Sequence, residues 1–210
     1  MKKTLLIIFA ILTSLGFAYA QTTATDFTTN DCDGISHTLF DELDNGDIIV
    51  IAWVMPCNPC ATYTLPAYSA VQTFATSHPG QVHFYLADDF ANTTCATLTS
   101  WGNSNNMPLN TTFSSSDISM SDYGTNGMPK VVVLGGSDHT VFLNKNDDKI
   151  NFLGVQGAIT DALNAPLGVE QIKASHFQLS TYPNPVNNTL NVSSTKTNTG
   201  SVVYSILDVS

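Results

Sequence analysis

The chain has 210 residues, 43% of them hydrophobic, so it can bury one core of ordinary size with length left for a smaller unit. Only 11% of residues are charged, and the polar surface falls mainly to Thr, Asn and Ser. Seventeen acidic against seven basic side chains leave a net charge of -10, with no basic stripe interleaved with aromatics. That balance argues against nucleic acid and against anionic membrane headgroups as partners.

Lys2-Lys3, the apolar run Leu5 to Leu12 and the small residues of Ala18-Tyr19-Ala20 have the layout of a signal peptide. Cleavage is expected after Ala20, so residues 1–20 are an export leader. The run is short for a bilayer and no other segment is apolar enough to cross one. The mature protein is therefore expected outside the cytoplasm, with no transmembrane span.

Gln21 to Asn30 reads as a loose polar lead-in, and His37 to Leu43 as a short helix closed by Asn45-Gly46. Ile48 to Val54 is a continuous, mostly β-branched apolar run, the pattern of a strand buried on both faces. From Cys60 to Ser77, Ala67, Val71, Phe74 and Ala75 fall at helical spacing, and His78-Pro79-Gly80 ends the helix. Val82 to Ala87 is the next strand, which completes a βαβ unit. A helix over Cys95 to Trp101, a Ser/Thr-rich loop and a short helix near Asp117 to Tyr123 follow. Lys130 to Leu134 and Thr140 to Leu143 form a hairpin about Gly135-Gly136-Ser137-Asp138, and Val155 to Leu163 is the last helix. This is an α/β order with a mixed sheet. Beyond Ala165-Pro166 the helical period ends, and Leu190 to Ser193 and Ser201 to Ile206 alternate like half-buried strands.

Four cysteines, Cys32, Cys57, Cys60 and Cys95, stand in this exported chain. Cys57-Asn58-Pro59-Cys60 lies where the buried strand meets the helix. Two cysteines so spaced can close a disulfide only across a tight backbone turn, which the first turn of a helix supplies. Unpaired N–H groups and the positive helix end there favour thiolate at the first sulfur. Cys57 is therefore the expected nucleophile and Cys60 the resolving thiol. Zinc would require a second pair or histidines at ligand spacing, and His37, His78, His83 and His139 are scattered; no metal or cofactor is expected. Asp88-Asp89 reads as a strand-end turn.

The strand, the Cys57–Cys60 motif, a helix interrupted at Pro66, and Gly127-Met128-Pro129 before a strand resemble the thioredoxin superfamily over residues 30 to 165. The 69 positions from Cys60 to Pro129 resemble the extracytoplasmic thioredoxin and redoxin branch, which carries an insertion there. The resemblance implies a thioredoxin-like mixed sheet flanked by helices, with a cis Pro129 against the dithiol and Met128 offering its backbone to a substrate peptide; Tyr123 to Gly127 is similar to the family's run into that proline. It also sets the N-terminal segment beside the second strand, where Cys32 and Cys95 can form a structural disulfide; the rival is Cys95 as a third, exchanging thiol. Three departures stand out. Ile51 occupies the usual place of a buried acid, Pro56 replaces the aromatic before the first cysteine, and Pro66 comes one position late.

Phe177 to Val186, with its Tyr182-Pro183-Asn184-Pro185 core, then Leu190-Asn191-Val192 and Tyr204 to Asp208, resemble the start of a type IX secretion sorting domain of Bacteroidetes. The resemblance implies contact with the type IX machinery, passage through the periplasm, and secretion or attachment at the cell surface. Such domains run past Ser210, so a fragment is expected. The expected division is leader 1–20, thioredoxin-like domain 21–165, linker 166–176 and a partial, β-rich sorting domain 177–210. The expected function is thiol–disulfide exchange with protein or small-molecule substrates. A secreted binding module with a static Cys57–Cys60 bridge and a thiol peroxidase are the alternatives.

Overall fold

The computed structural model describes residues 22–124 and 127–165, together with the backbone of Leu179–Tyr182 and Asn191–Ser194. The leader, Thr125-Asn126, the linker, most of the Tyr-Pro-Asn-Pro motif and the expected strand over Ser201 to Ile206 lie outside the described residues. The chain divides into two units, Met1–Gly168 and Val169–Ser210.

In the first unit the elements are β1 (Thr28–Asn30), β2 (Ser36–Thr38), α1 (Leu39–Asp44), β3 (Ile48–Val54), α2 (Asn58–Gln72), β4 (Val82–Asp88), α3 (Cys95–Ser104), β5 (Thr111–Phe113), β6 (Lys130–Gly135), β7 (Thr140–Asn146) and α4 (Phe152–Leu163). In the second unit, β8 (Leu179–Tyr182) pairs antiparallel with β9 (Asn191–Ser194).

A five-stranded mixed sheet, in the order β5-β4-β3-β6-β7, carries the first unit. β3 runs parallel to β4 and antiparallel to β6, and every one of its residues is buried. Its side chains alternate between two cores. Ile48, Val50, Ala52 and Val54 face the core that includes Ala67, Val71, Leu98 and Ile159 from α2, α3 and α4. Ile49, Ile51 and Trp53 face Phe27, Leu39, Leu43, Phe113 and Tyr123. Burial on both faces explains why a run without alternation makes a strand here.

Several elements differ from the expectation, each for a local reason. The lead-in is not loose: Ala24 and Phe27 are buried, and the Ala24 N–H donates to the His139 carbonyl at 2.7 Å. Ser36 to Thr38 pair with β1 as a strand, so α1 starts only at Leu39. α2 ends at Gln72, where the Thr73 hydroxyl takes the Ala70 carbonyl at 2.7 Å and the chain tightens into three-residue turns. The Ser/Thr-rich loop contains β5, which pairs parallel to β4 through Tyr85, Leu86 and Ala87. The expected helix near Asp117 is a single 3-10 turn, Met120–Tyr123.

Candidate redox site

β3 ends at Val54, and the chain passes through exposed Met55 and half-buried Pro56 into α2. Cys57 is the N-cap of that helix, with an extended backbone (φ -140, ψ 159), and Pro59 stands in the first turn, where its missing N–H leaves no helical bond unmade. The Cys57 Sγ accepts the Cys60 N–H at 3.4 Å. Both thiols are free, with their sulfurs 2.7 Å apart.

The two sulfurs differ in access. Cys57 is partly exposed, whereas Cys60 is 2% exposed and lies within the core beneath α2. Burial is the main reason the Cys60 thiol is pushed up to about 12, reinforced by its hydrogen bond with Cys57 and by the charge of Asp89. Asp89 follows the last residue of β4, and its N–H donates to the Val54 carbonyl at 3.2 Å. The Met55 N–H of that same peptide group favours the Cys60 thiolate and partly offsets the rise. Its own carboxyl is raised, first by burial and then by Asp88. Asp88 is 1% exposed; one carboxylate oxygen accepts the N–H groups of Asn92 (2.6 Å) and Thr93 (3.1 Å), while the other has no hydrogen-bond partner among the described residues.

The Met128–Pro129 peptide is cis. Trp53 pairs with Lys130, so the next steps along the two strands set Pro129 beside Val54 and Met128 beside Met55, at the end of the sheet that carries the cysteines. Met128 and Cys57 both pack against the core beneath α2. Gly127 and Pro129 are fixed by the end of β7 and the residue after it: the Asn146 amide donates to the Gly127 carbonyl at 2.8 Å, and the Asp147 N–H to the Pro129 carbonyl at 2.9 Å. Among the described residues, no backbone hydrogen bond engages Met128 itself.

Cys32 and Cys95 are joined, with Sγ–Sγ 2.08 Å and Cα–Cα 5.4 Å. The Cys32 N–H donates to the Thr112 carbonyl at 2.8 Å, so the N-terminal turn rests on β5, the strand hidden in the polar loop. Ile51 lies fully buried on the opposite sheet face from Cys60. No group of three or more His, Cys, Asp or Glu among the described residues is placed to hold a metal ion. No described helix is long and apolar enough to cross a membrane.

No family model and no curated protein matches the sequence. Solved structures do match the fold. A thioredoxin-family thiol:disulfide interchange protein from Chlorobium tepidum superposes with a TM-score of 0.50 at 14% identity, over 70% of this chain and 99% of that one. The thioredoxin domain of a thiol-disulfide oxidoreductase from Bacteroides vulgatus gives 0.52 at 12% identity, over 71% and 100%. The fold is thioredoxin-like. A thiol:disulfide interchange protein from a Bacteroides species gives 0.51 at 13% identity, over 71% of this chain and 91% of that one. In the sequence of this thioredoxin-like chain Asp89 reads only as part of a strand-end turn and Lys130 only as the start of a strand, and Asn144 and Asn146 carry no signal. The one sequence signal among them was a lysine, Lys130, opening an otherwise apolar strand.

Proposed function

We propose that the chain is an exported thiol–disulfide oxidoreductase acting through Cys57 and Cys60. The observation that carries the reading is the pair itself: two free thiols 2.7 Å apart at a helix start, the first partly exposed and the second buried. The Cys57 thiolate attacks one sulfur of a substrate disulfide. A Cys57–substrate S–S bond forms, the substrate bond breaks, and the departing sulfur takes a proton from solvent. Cys60 then loses its proton and attacks the Cys57 sulfur, leaving a Cys57–Cys60 disulfide and a second substrate thiol. Two electrons have passed to the substrate, and the reverse sequence oxidises a dithiol. Met128 and Pro129 would receive the substrate's backbone, and Pro56 would line the approach to Cys57. That no backbone hydrogen bond engages Met128 among the described residues supports that role.

The Lys2-to-Ala20 leader supports export, and the Tyr-Pro-Asn-Pro segment supports recognition by the type IX machinery of a Bacteroidetes cell. On this reading residues 21–165 are the redox domain, 166–176 a linker and 177–210 part of the sorting domain, and the protein passes through the periplasm to the exterior or the cell surface.

Exchange with glutathione disulfide tests the chemistry. Cys57→Ser is expected to abolish it, and Cys60→Ser to accumulate a mixed disulfide with Cys57 visible by mass spectrometry. Wild-type rates in the Cys57→Ser protein would remove the proposal. A Cys57–Cys60 couple that stays oxidised in glutathione buffers down to about -300 mV would instead indicate a static bridge.

A further inference from the structure

Lys130 follows the cis proline directly and is 1% exposed. No carboxylate pairs with it among the described residues. Among the described residues its ammonium is met by neutral oxygens alone: the Tyr123 carbonyl at 3.1 Å, Asn144 Oδ1 at 3.3 Å and Asn146 Oδ1 at 3.1 Å. Removing a cation from water without an anion opposite is costly, and burial holds this amine below the ordinary lysine range. A strand that needed nothing but core packing would carry an aliphatic residue here.

The arrangement has a directional consequence. An ammonium donates and never accepts, so both asparagines must turn their oxygens toward Lys130. Each amide NH₂ is then left to donate to a carbonyl of the residues that precede the cis bond. Asn144 Nδ2 donates to the Tyr123 carbonyl at 2.8 Å, and Asn146 Nδ2 to the Gly127 carbonyl at 2.8 Å. The partners come from one face of β7, since Lys130 pairs with Asn146 and Val132 with Asn144. Gly127 fits the same contact: a Cβ there would stand 2.5 Å from Asn146 Nδ2. Tyr123 and Gly127 are thus fastened through amides whose orientation one buried charge decides, and Tyr123 by the ammonium as well.

We propose that Lys130 is a positioning residue for polypeptide substrates: through Asn144 and Asn146 it holds Tyr123 and Gly127 so that the Met128 backbone can pair with an extended, disulfide-bearing chain. This rests on the exchange activity proposed above. Lys130 lies on the sheet face opposite the cysteines, alternating with Val131 of the dithiol-side core, so it acts on capture of a chain and not on the sulfurs. A small disulfide, which has no backbone to pair, bypasses the device.

The test compares full-length wild type, Lys130→Met and Asn146→Ala in exchange with two oxidants, a disulfide-linked peptide and glutathione disulfide. In both variants the ratio of the peptide rate to the glutathione rate is expected to fall about tenfold, the effect of roughly one lost hydrogen bond. The loss is expected in KM for the peptide more than in kcat. A ratio unchanged in Asn146→Ala overturns the assignment, even if Lys130→Met fails to fold. A parallel fall with both oxidants also overturns it, because it indicates general loosening. Failure of wild type to react with either oxidant sinks the exchange reading instead, and the positioning role with it.

Discussion

Cys57 and Cys60 carry the same functional group, and their position on the helix makes them different. Cys57 caps α2 in partial exposure, while Cys60, one turn on, is raised from 9.0 to about 12, chiefly by burial. A thiol that binds its proton more tightly in the folded chain stabilises the fold below its unfolded pKa, and that contribution drains away as pH rises from 9 toward 12. Urea unfolding of the reduced protein, referred to a Cys60→Ala variant, is expected to lose about 2 kcal/mol of relative stability by pH ~10.5. Tyr85 and Tyr123, also raised by burial, are common to both proteins and cancel. A difference independent of pH would show that Cys60 is not held in its protonated form. Asp89 acts on the same sulfur through its charge. Asp89→Asn removes a nearby negative charge, so Cys60 ionises at lower pH. Release of the second substrate thiol from a preformed Cys57 mixed disulfide is then expected to shift its pH profile downward. A profile that stays in place or loses amplitude would assign Asp89 another part, proton acceptance included.

Elements with unbroken patterns were legible, and those built on exceptions were not. The β-branched run Ile48 to Val54 could hardly be anything but a central strand, and the cysteine spacing beside it located the site. β5 escaped because Thr111-Thr112-Phe113 offers one large apolar residue among hydroxyls, and its pairing with β4 is a tertiary event. The β1–β2 hairpin escaped for a similar reason: it is held by polar side chains, with His37 between Asp31 (3.2 Å) and Glu42 (2.7 Å) and Glu42 receiving the Tyr85 hydroxyl at 2.7 Å. No hydrophobic period announces such a cluster. The Lys130 network was equally silent, since its asparagines lie 14 and 16 positions away. Helix-on-sheet packing leaves one further mark at the end of β6. A Cβ on Gly135 would stand 2.8 Å from Ile48 Cδ1 and 2.9 Å from the Ala162 Cβ of α4. Gly135→Ala is therefore expected to push α4 off the sheet and cost about 1–3 kcal/mol in urea unfolding. An unchanged midpoint would mean that α4 shifts freely.

At the scale of the whole molecule, a chain expected to work outside the cytoplasm has no reducing pool around it, so a disulfide can serve as permanent structure. The Cys32–Cys95 bridge spans 63 positions, tying the N-terminal turn to the start of α3. Closing a loop of that length restricts the unfolded chain by about 4 kcal/mol. The Cys32→Ser/Cys95→Ser double variant is expected to melt well below wild type while keeping exchange with glutathione disulfide within about twofold, the size of ordinary context effects. A large loss of exchange with unchanged melting would make this bridge part of the redox circuit. The second unit supports a different physical claim: the Tyr182-Pro183-Asn184-Pro185 motif begins at the last residue of β8, outside the sequence region that carries the dithiol. If that segment is an address, its loss changes where the protein goes and not what it does. Deleting residues 177–210 in a Bacteroidetes host is expected to hold the protein in the periplasm with its glutathione exchange intact. Fractionation and a thiol-exchange assay on the same cells read the two properties separately. Unimpaired arrival at the surface would dismiss the sorting role, and lost exchange in the retained protein would show that the strand pair also supports the redox domain.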